Sequence, residues 1–125
     1  MGSSFTDHRG TILDLLGPVD AVTEIVTKAG SVRGNHIHAK TVQFTYIVSG
    51  RLLVATLLPA SRDTQAGLPL MLEHGPGDLI EEAAGIPHAW RALTDTVVLV
   101  FTRGPRSGSA YETDTERLAV PLLTP

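Results

Sequence analysis

Short apolar runs rich in β-branched and aromatic residues, broken all along the chain by Gly, Pro, Asn and Asp, set the strongest limit on this fold. Such runs make strands rather than helices. The pattern predicts strands over Thr11–Leu15, Ala21–Lys28, Ser31–Ile37, Val42–Val48, Arg51–Leu58, Leu68–Leu72, Asp78–Ala83, His88–Ala92 and Thr96–Thr102. Turn chemistry lies between them at Asp7-His8-Arg9-Gly10, Ala29-Gly30, Ser49-Gly50, Gly75-Pro76-Gly77-Asp78, Gly85-Ile86-Pro87 and Thr94-Asp95. Pro59–Gly67 is polar and reads as a loop, and the tail Gly104–Pro125 ends in an apolar Leu118–Leu123 suited to an extra strand or a docked arm. So many strands in 125 residues must pack sheet on sheet or close into a barrel, because one open sheet would leave an apolar face wet. The fold class is therefore all-β with few or no helices, and periodicity leaves sandwich and jelly roll both open. A chain of this length makes one domain, 1–125, with a core over about 20–103 and an arm over 104–125.

What chemistry such a domain can do is narrowed by the absence of cysteine, which removes disulfides, thiolate metal sites and thiol nucleophiles together. Five histidines, with Asp, Glu and Gln, remain as metal ligands. A net charge of −3 gives no basic face for nucleic acid. No apolar run approaches a membrane span and the polar start lacks a signal-peptide core, so a cytoplasmic protein without membrane contact is expected. The opening Met1-Gly2-Ser3-Ser4-Phe5-Thr6 also fits the loose N-myristoylation pattern, and fits a cloning scar equally well.

Within Gly34-Asn35-His36-Ile37-His38 the two histidines stand two apart, so on a strand they project to one side. His88 opens another strand after a tight turn and can face the same space. Gln43 follows His38 by an odd number of positions, so a turn or bulge near Ala39-Lys40 is needed to bring its amide to that face. Three neutral imidazoles and an amide oxygen would bind a divalent transition metal. An isolated His-x-His is common on exposed strands, and His8 and His74 lie in turn-rich stretches as surface groups. If His88 faces inward, Trp90 and Ala92 share its side, and Trp90 either walls the pocket or fills the core. Gln43, Thr45 and Ile47 form one face of their strand, and Phe44, Tyr46 and Val48 the other, which gives Tyr46 to outer packing. Glu81 and Glu82 are consecutive, so one of them faces away. Arg33 has the opposite parity from His36 unless Gly34 introduces a bulge; it is a surface charge or a substrate anchor.

The spacing of the whole set resembles a known family. Gly30, His36, His38, Gln43 and Gly50 follow the first motif of the cupin superfamily, with Gln43 in place of the usual acidic ligand. Gly77, Ala83, Gly85 and His88 follow the second, with Ala83 where Pro and Ala92 where Asn are usual. The resemblance, from about Gly30 to Ala92, implies a small single-domain metallo-cupin, an RmlC-like jelly-roll barrel (double-stranded β-helix) with Fe, Mn, Zn or Ni on His36, His38 and His88 and Gln43 as a fourth ligand or an orienting neighbour. An amide there leaves the site formally dipositive and suited to an anionic chelating substrate. A weaker resemblance, through Asp7-His8-Arg9-Gly10 and Arg33-Gly34-Asn35-His36-Ile37-His38, is to cupins that epimerise or isomerise nucleotide-linked deoxysugars, some of them without metal.

Three functions follow as expectations. The first is a metal-dependent dioxygenase or isomerase acting on a small oxygenated metabolite, with Trp90, Thr45 and Arg33 on the substrate. The second is a nucleotide-sugar epimerase or ketoisomerase. The third is a non-enzymatic small-ligand module, suggested by the lack of an evident carboxylate base on the histidine face. Apolar edge strands, and the family resemblance, imply a homodimer.

Overall fold

The computed structural model describes residues 3–59, 68–105 and 108–125. Most of the Pro59–Gly67 loop and the first two residues of the myristoylation-like pattern lie outside these. The chain forms β1 (Ser4–Asp7), β2 (Gly10–Leu13), β3 (Ala21–Thr27), β4 (Val32–His38), β5 (Val42–Ser49), β6 (Leu52–Thr56), β7 (Leu70–His74), β8 (Leu79–Glu82), β9 (His88–Ala92), β10 (Thr96–Arg103), one short helix α1 (Gly108–Asp114) and β11 (Thr115–Arg117). No helix among the described residues is long and apolar enough to cross a membrane.

Two antiparallel sheets face each other, one ordered β3-β10-β5-β8 and the other β11-β4-β9-β6-β7, with β1-β2 a separate hairpin. Strands that follow one another from β3 to β4, β4 to β5, β8 to β9 and β9 to β10 lie in different sheets. That alternation is a jelly roll, the choice periodicity left open. Alternation within strands fills the space between the sheets: Ile47, Leu52, Val54, Trp90, Ala92, Val98 and Val100 are buried there, with Ile25 and Ile80 against them. Their odd-numbered neighbours in β6 and β9, Ala55 and Ala89, look outward and are capped by Leu123 of the tail.

Each expected strand is present, most with small changes at the ends; Leu68–Leu72 moves to Leu70–His74. The sequence did not signal β1, whose only large apolar residue is Phe5. Pairing makes it a strand, with Phe5 opposite Ile12 and the Thr6 and Thr11 hydroxyls 3.0 Å apart. Of the two expectations for Leu118–Leu123 the docked arm holds, through Leu122 and Leu123; the tail's extra strand, β11, lies just before that stretch at Thr115–Arg117.

Candidate metal centre and its cavity

His36 reaches the site because β4 is bulged. Gly34 pairs with Ala89 and His36 with His88, so Asn35 is the extra residue. Asn35 has φ 58° and Gly34 φ 88°. A Cβ at Gly34 would lie 3.0 Å from the Ala89 Cα and the His88 carbonyl oxygen, and with the positive φ this favours glycine. The bulge answers the parity question at Arg33, which pairs with Trp90 and so shares the face of His36. Gln43 arrives differently. The Ala39–Thr41 turn carries the chain into the opposing sheet, so strand parity with His38 no longer applies, and Gln43 faces inward from across the barrel.

Three imidazoles converge. The candidate ligand atoms of His36, His38 and His88 all lie within 4.8 Å of one another, and the Nε2 atoms of His36 and His88 are 3.0 Å apart. His38 and His88 are buried. His88 Nδ1 faces the Ile86 carbonyl at 3.4 Å, and His38 Nδ1 lies 3.0 Å from Thr115 Oγ1. On the far side of His88 Nε2, at 3.0 Å, stands Glu82 Oε2, and Thr45 donates its hydroxyl to Glu82 Oε1. Glu82 is the group the sequence reading left unplaced. Its signal was Ile80 two residues earlier, whose side faces the core, but Leu79 offered an equally apolar alternative.

The electrostatics divide the rings. Burial, then the neighbouring His88 and His38, pushes the His36 pKa down to about 4. Burial and His88 lower that of His38 as well. Burial opposes charge on His88 too, yet its pKa is raised, because Glu82 accepts its N–H and adds the opposite charge. Glu82 responds in kind: burial alone would raise its pKa, but the His88 bond and charge, with the Thr45 hydroxyl, lower it.

His36 and His88, with His38 buried beside them, line a cavity of about 700 Å³ whose wall also includes Gln43, Trp90, Arg33, Asn35 and Arg117. Trp90 does both things weighed for it, packing in the core and walling the cavity. The Thr45 hydroxyl is engaged by Glu82. The Arg33 guanidinium is exposed at the rim, donating from Nε to Thr27 Oγ1 at 2.8 Å and from NH2 to the Val26 carbonyl at 3.3 Å. Arg117, from β11, is paired in register with His36; nothing in its local sequence placed it there. His8 is exposed, and His74 is partnered by Asp78 at 3.3 Å, both away from the cluster.

The residues fit a divalent transition ion. Ligands held about 2.0–2.1 Å from one ion stand roughly 3–3.5 Å from each other, the separation of the His36 and His88 nitrogens. The Nδ1 partners of His38 and His88 are the kind that orient metal-binding imidazoles.

The fold has well-matched relatives among solved structures. The dTDP-4-dehydrorhamnose 3,5-epimerase of Sulfolobus tokodaii superimposes with TM-score 0.68 at 18% identity, covering 91% of this chain and 72% of that one. QdtA, a sugar 3,4-ketoisomerase from Thermoanaerobacterium thermosaccharolyticum in complex with TDP, gives 0.70 at 17% identity over 94% and 85%. The capsular polysaccharide assembling protein CapF of Staphylococcus aureus gives 0.66 at 19% over 96% of this chain, which spans only 35% of CapF. At these identities the likeness is one of fold, and no curated protein matches the chain by sequence. The family model described as Cupin matches residues 15–118, and on that match and this jelly roll the chain belongs to the cupin family.

Proposed function

We propose that this chain is a metal-binding enzyme acting on a small, oxygenated, anionic molecule in the barrel mouth. The observation that carries the reading is the convergence of three imidazoles within 4.8 Å, two of them, His36 and His88, on the wall of a cavity of about 700 Å³. His36, His38 and His88 would hold Fe, Mn, Zn or Ni, with Gln43, from the opposing sheet, as a neutral oxygen donor. Such an ion supplies Lewis acidity toward adjacent substrate oxygens or, if iron, the redox chemistry of a dioxygenase. The chain's own residues do the rest. Arg33 and Arg117 draw an anion to the rim, and Trp90 gives it an apolar wall. Glu82, held by Thr45, is a buried carboxylate placed to accept a proton once His88 Nε2 is committed elsewhere. Elemental analysis of protein purified without chelators tests this. About one equivalent of a transition metal is expected, and less than about a tenth, with no uptake on titration, would overturn it.

The Glu82–His88 pair favours a second reading, metal-free proton transfer on a nucleotide-linked sugar. It predicts turnover that survives exhaustive chelation and is lost in His36→Ala or His38→Ala. The case for a non-enzymatic module weakens, since Glu82 is the carboxylate whose absence suggested it.

We also propose a homodimer. The β1-β2 hairpin pairs with no other strand among the described residues and exposes Phe5, Ile12 and Leu13, while edge strand β3 exposes Val22 and Val26.

A further inference from the structure

We infer that Thr115 is a positioning residue for His38, fixing the ring with its proton on Nδ1 and its lone pair on Nε2, and that the C-terminal segment is thereby a working part of the site. β11 pairs with β4 along the histidine run itself, Thr115 opposite His38, Glu116 opposite Ile37 and Arg117 opposite His36. A strand of three residues is too short to hold itself, and this one is anchored at both ends to β4 or to the turn after it.

Ahead of it, Asp114 Oδ1 accepts from the Lys40 N–H at 2.9 Å, and Oδ2 accepts from the Thr41 N–H at 2.9 Å and the Thr41 hydroxyl at 2.6 Å. The Asp114 carbonyl accepts from the Ala39 N–H at 3.0 Å. Behind it, the Asn35 carbonyl accepts from the Leu118 N–H at 2.9 Å. Asn35 Oδ1 accepts from the N–H groups of Leu122 and Leu123 at 2.8 and 3.2 Å, and its Nδ2 donates to the Leu123 carbonyl at 2.8 Å. The histidine strand and the segment beside it therefore form one hydrogen-bonded unit.

Inside that unit Thr115 Oγ1 lies 3.0 Å from His38 Nδ1. A hydroxyl can donate or accept, so the surroundings decide. His88 already turns both ring nitrogens toward acceptors, Nδ1 toward the Ile86 carbonyl and Nε2 toward Glu82 Oε2, and an N–H on the buried His38 Nε2 would bring one more donor into that cluster. With the proton on Nδ1, Thr115 accepts it and Nε2 offers a lone pair instead.

Long-range proton–nitrogen spectra of histidine-labelled protein at about pH 8, where unprotonated rings dominate, read the tautomer directly. The expected result is Nδ1–H for His38 in the wild type, loss of that single tautomer in Thr115→Val and its return in Thr115→Ser. A wild-type Nε2–H tautomer, or a Thr115→Val spectrum unchanged at His38, overturns the inference; the wild-type spectrum decides even if the valine variant does not fold. Titration with Zn(II) adds a second readout, which alone rests on the proposed metal site. Affinity should fall about tenfold or more in Thr115→Val and hold in Thr115→Ser, and equal affinities in all three would count against positioning. A wild type that takes no zinc overturns the metal reading and leaves the tautomer to the spectra.

Discussion

His88 has two partners that compete for one atom. Its Nε2 faces Glu82 as a proton donor and His36 across the cluster, and it can join a metal only after giving up its proton. Because His36 and His38 have lowered pKa values and His88 a raised one, metal binding near neutrality should release about one proton, that of His88. Affinity should then climb about tenfold per pH unit between 6.5, the ordinary histidine value, and the raised value of His88. Calorimetry in buffers of different ionisation enthalpy counts that proton, and a count of zero contradicts the assignment. Glu82→Gln should bring the His88 pKa below 6.5, since burial then acts without the carboxylate that outweighs it; a histidine titration by NMR reads this. His36, His38 and His88 were visible in the sequence because i, i+2 spacing and a strand start are local facts. The choice of Glu82 over Glu81 was not local, since it depends on which face of β8 meets the other sheet.

At the scale of the element, the β4 bulge aligns two sites at once. It turns Arg33 and His36 to the same face and turns Asn35 toward the tail. Gly34→Ala should cost roughly 1–3 kcal/mol in urea unfolding, because the φ of 88° strains an alanine and its methyl would crowd Ala89 and His88 at 3.0 Å. Asn35→Ala should raise amide exchange at Leu122 and Leu123, whose N–H groups lose their acceptor, while Val98 and Val100 in β10 stay protected. Uniform exchange across the chain would show that Asn35 supports the whole fold instead. The glycine in Arg33-Gly34-Asn35 hinted at a bulge. Its position needed β9 alongside, because a bulge is defined only against a partner strand.

For the whole molecule, acid and base both loosen the fold through this one cluster. His36 and His38 bind protons less readily folded than unfolded, so stability should fall as pH drops from 6.5 toward the His36 value of about 4. Glu82, with a lowered pKa, contributes stability above its ordinary 4.5 and loses it as pH falls through its depressed value. His88 has the opposite sign. Its contribution is complete below 6.5 and disappears as pH rises through its raised value. Urea midpoints across pH should therefore peak near neutrality, and a midpoint still rising below pH 6 would contradict these signs. Light scattering should report a dimer, and a particle of 13.3 kDa at working concentration would refute it.

The sequence by itself determined the all-β class, nearly every strand and the three histidines, because alternation and turn chemistry act over a few residues. Only the tertiary structure decided that the sheets form a jelly roll, that Gln43 and Glu82 come from the opposite wall, and that residues 114–123 close back on the histidine strand. Those are contacts between segments far apart in sequence, and they are fixed by burial and hydrogen bonding that no local pattern encodes.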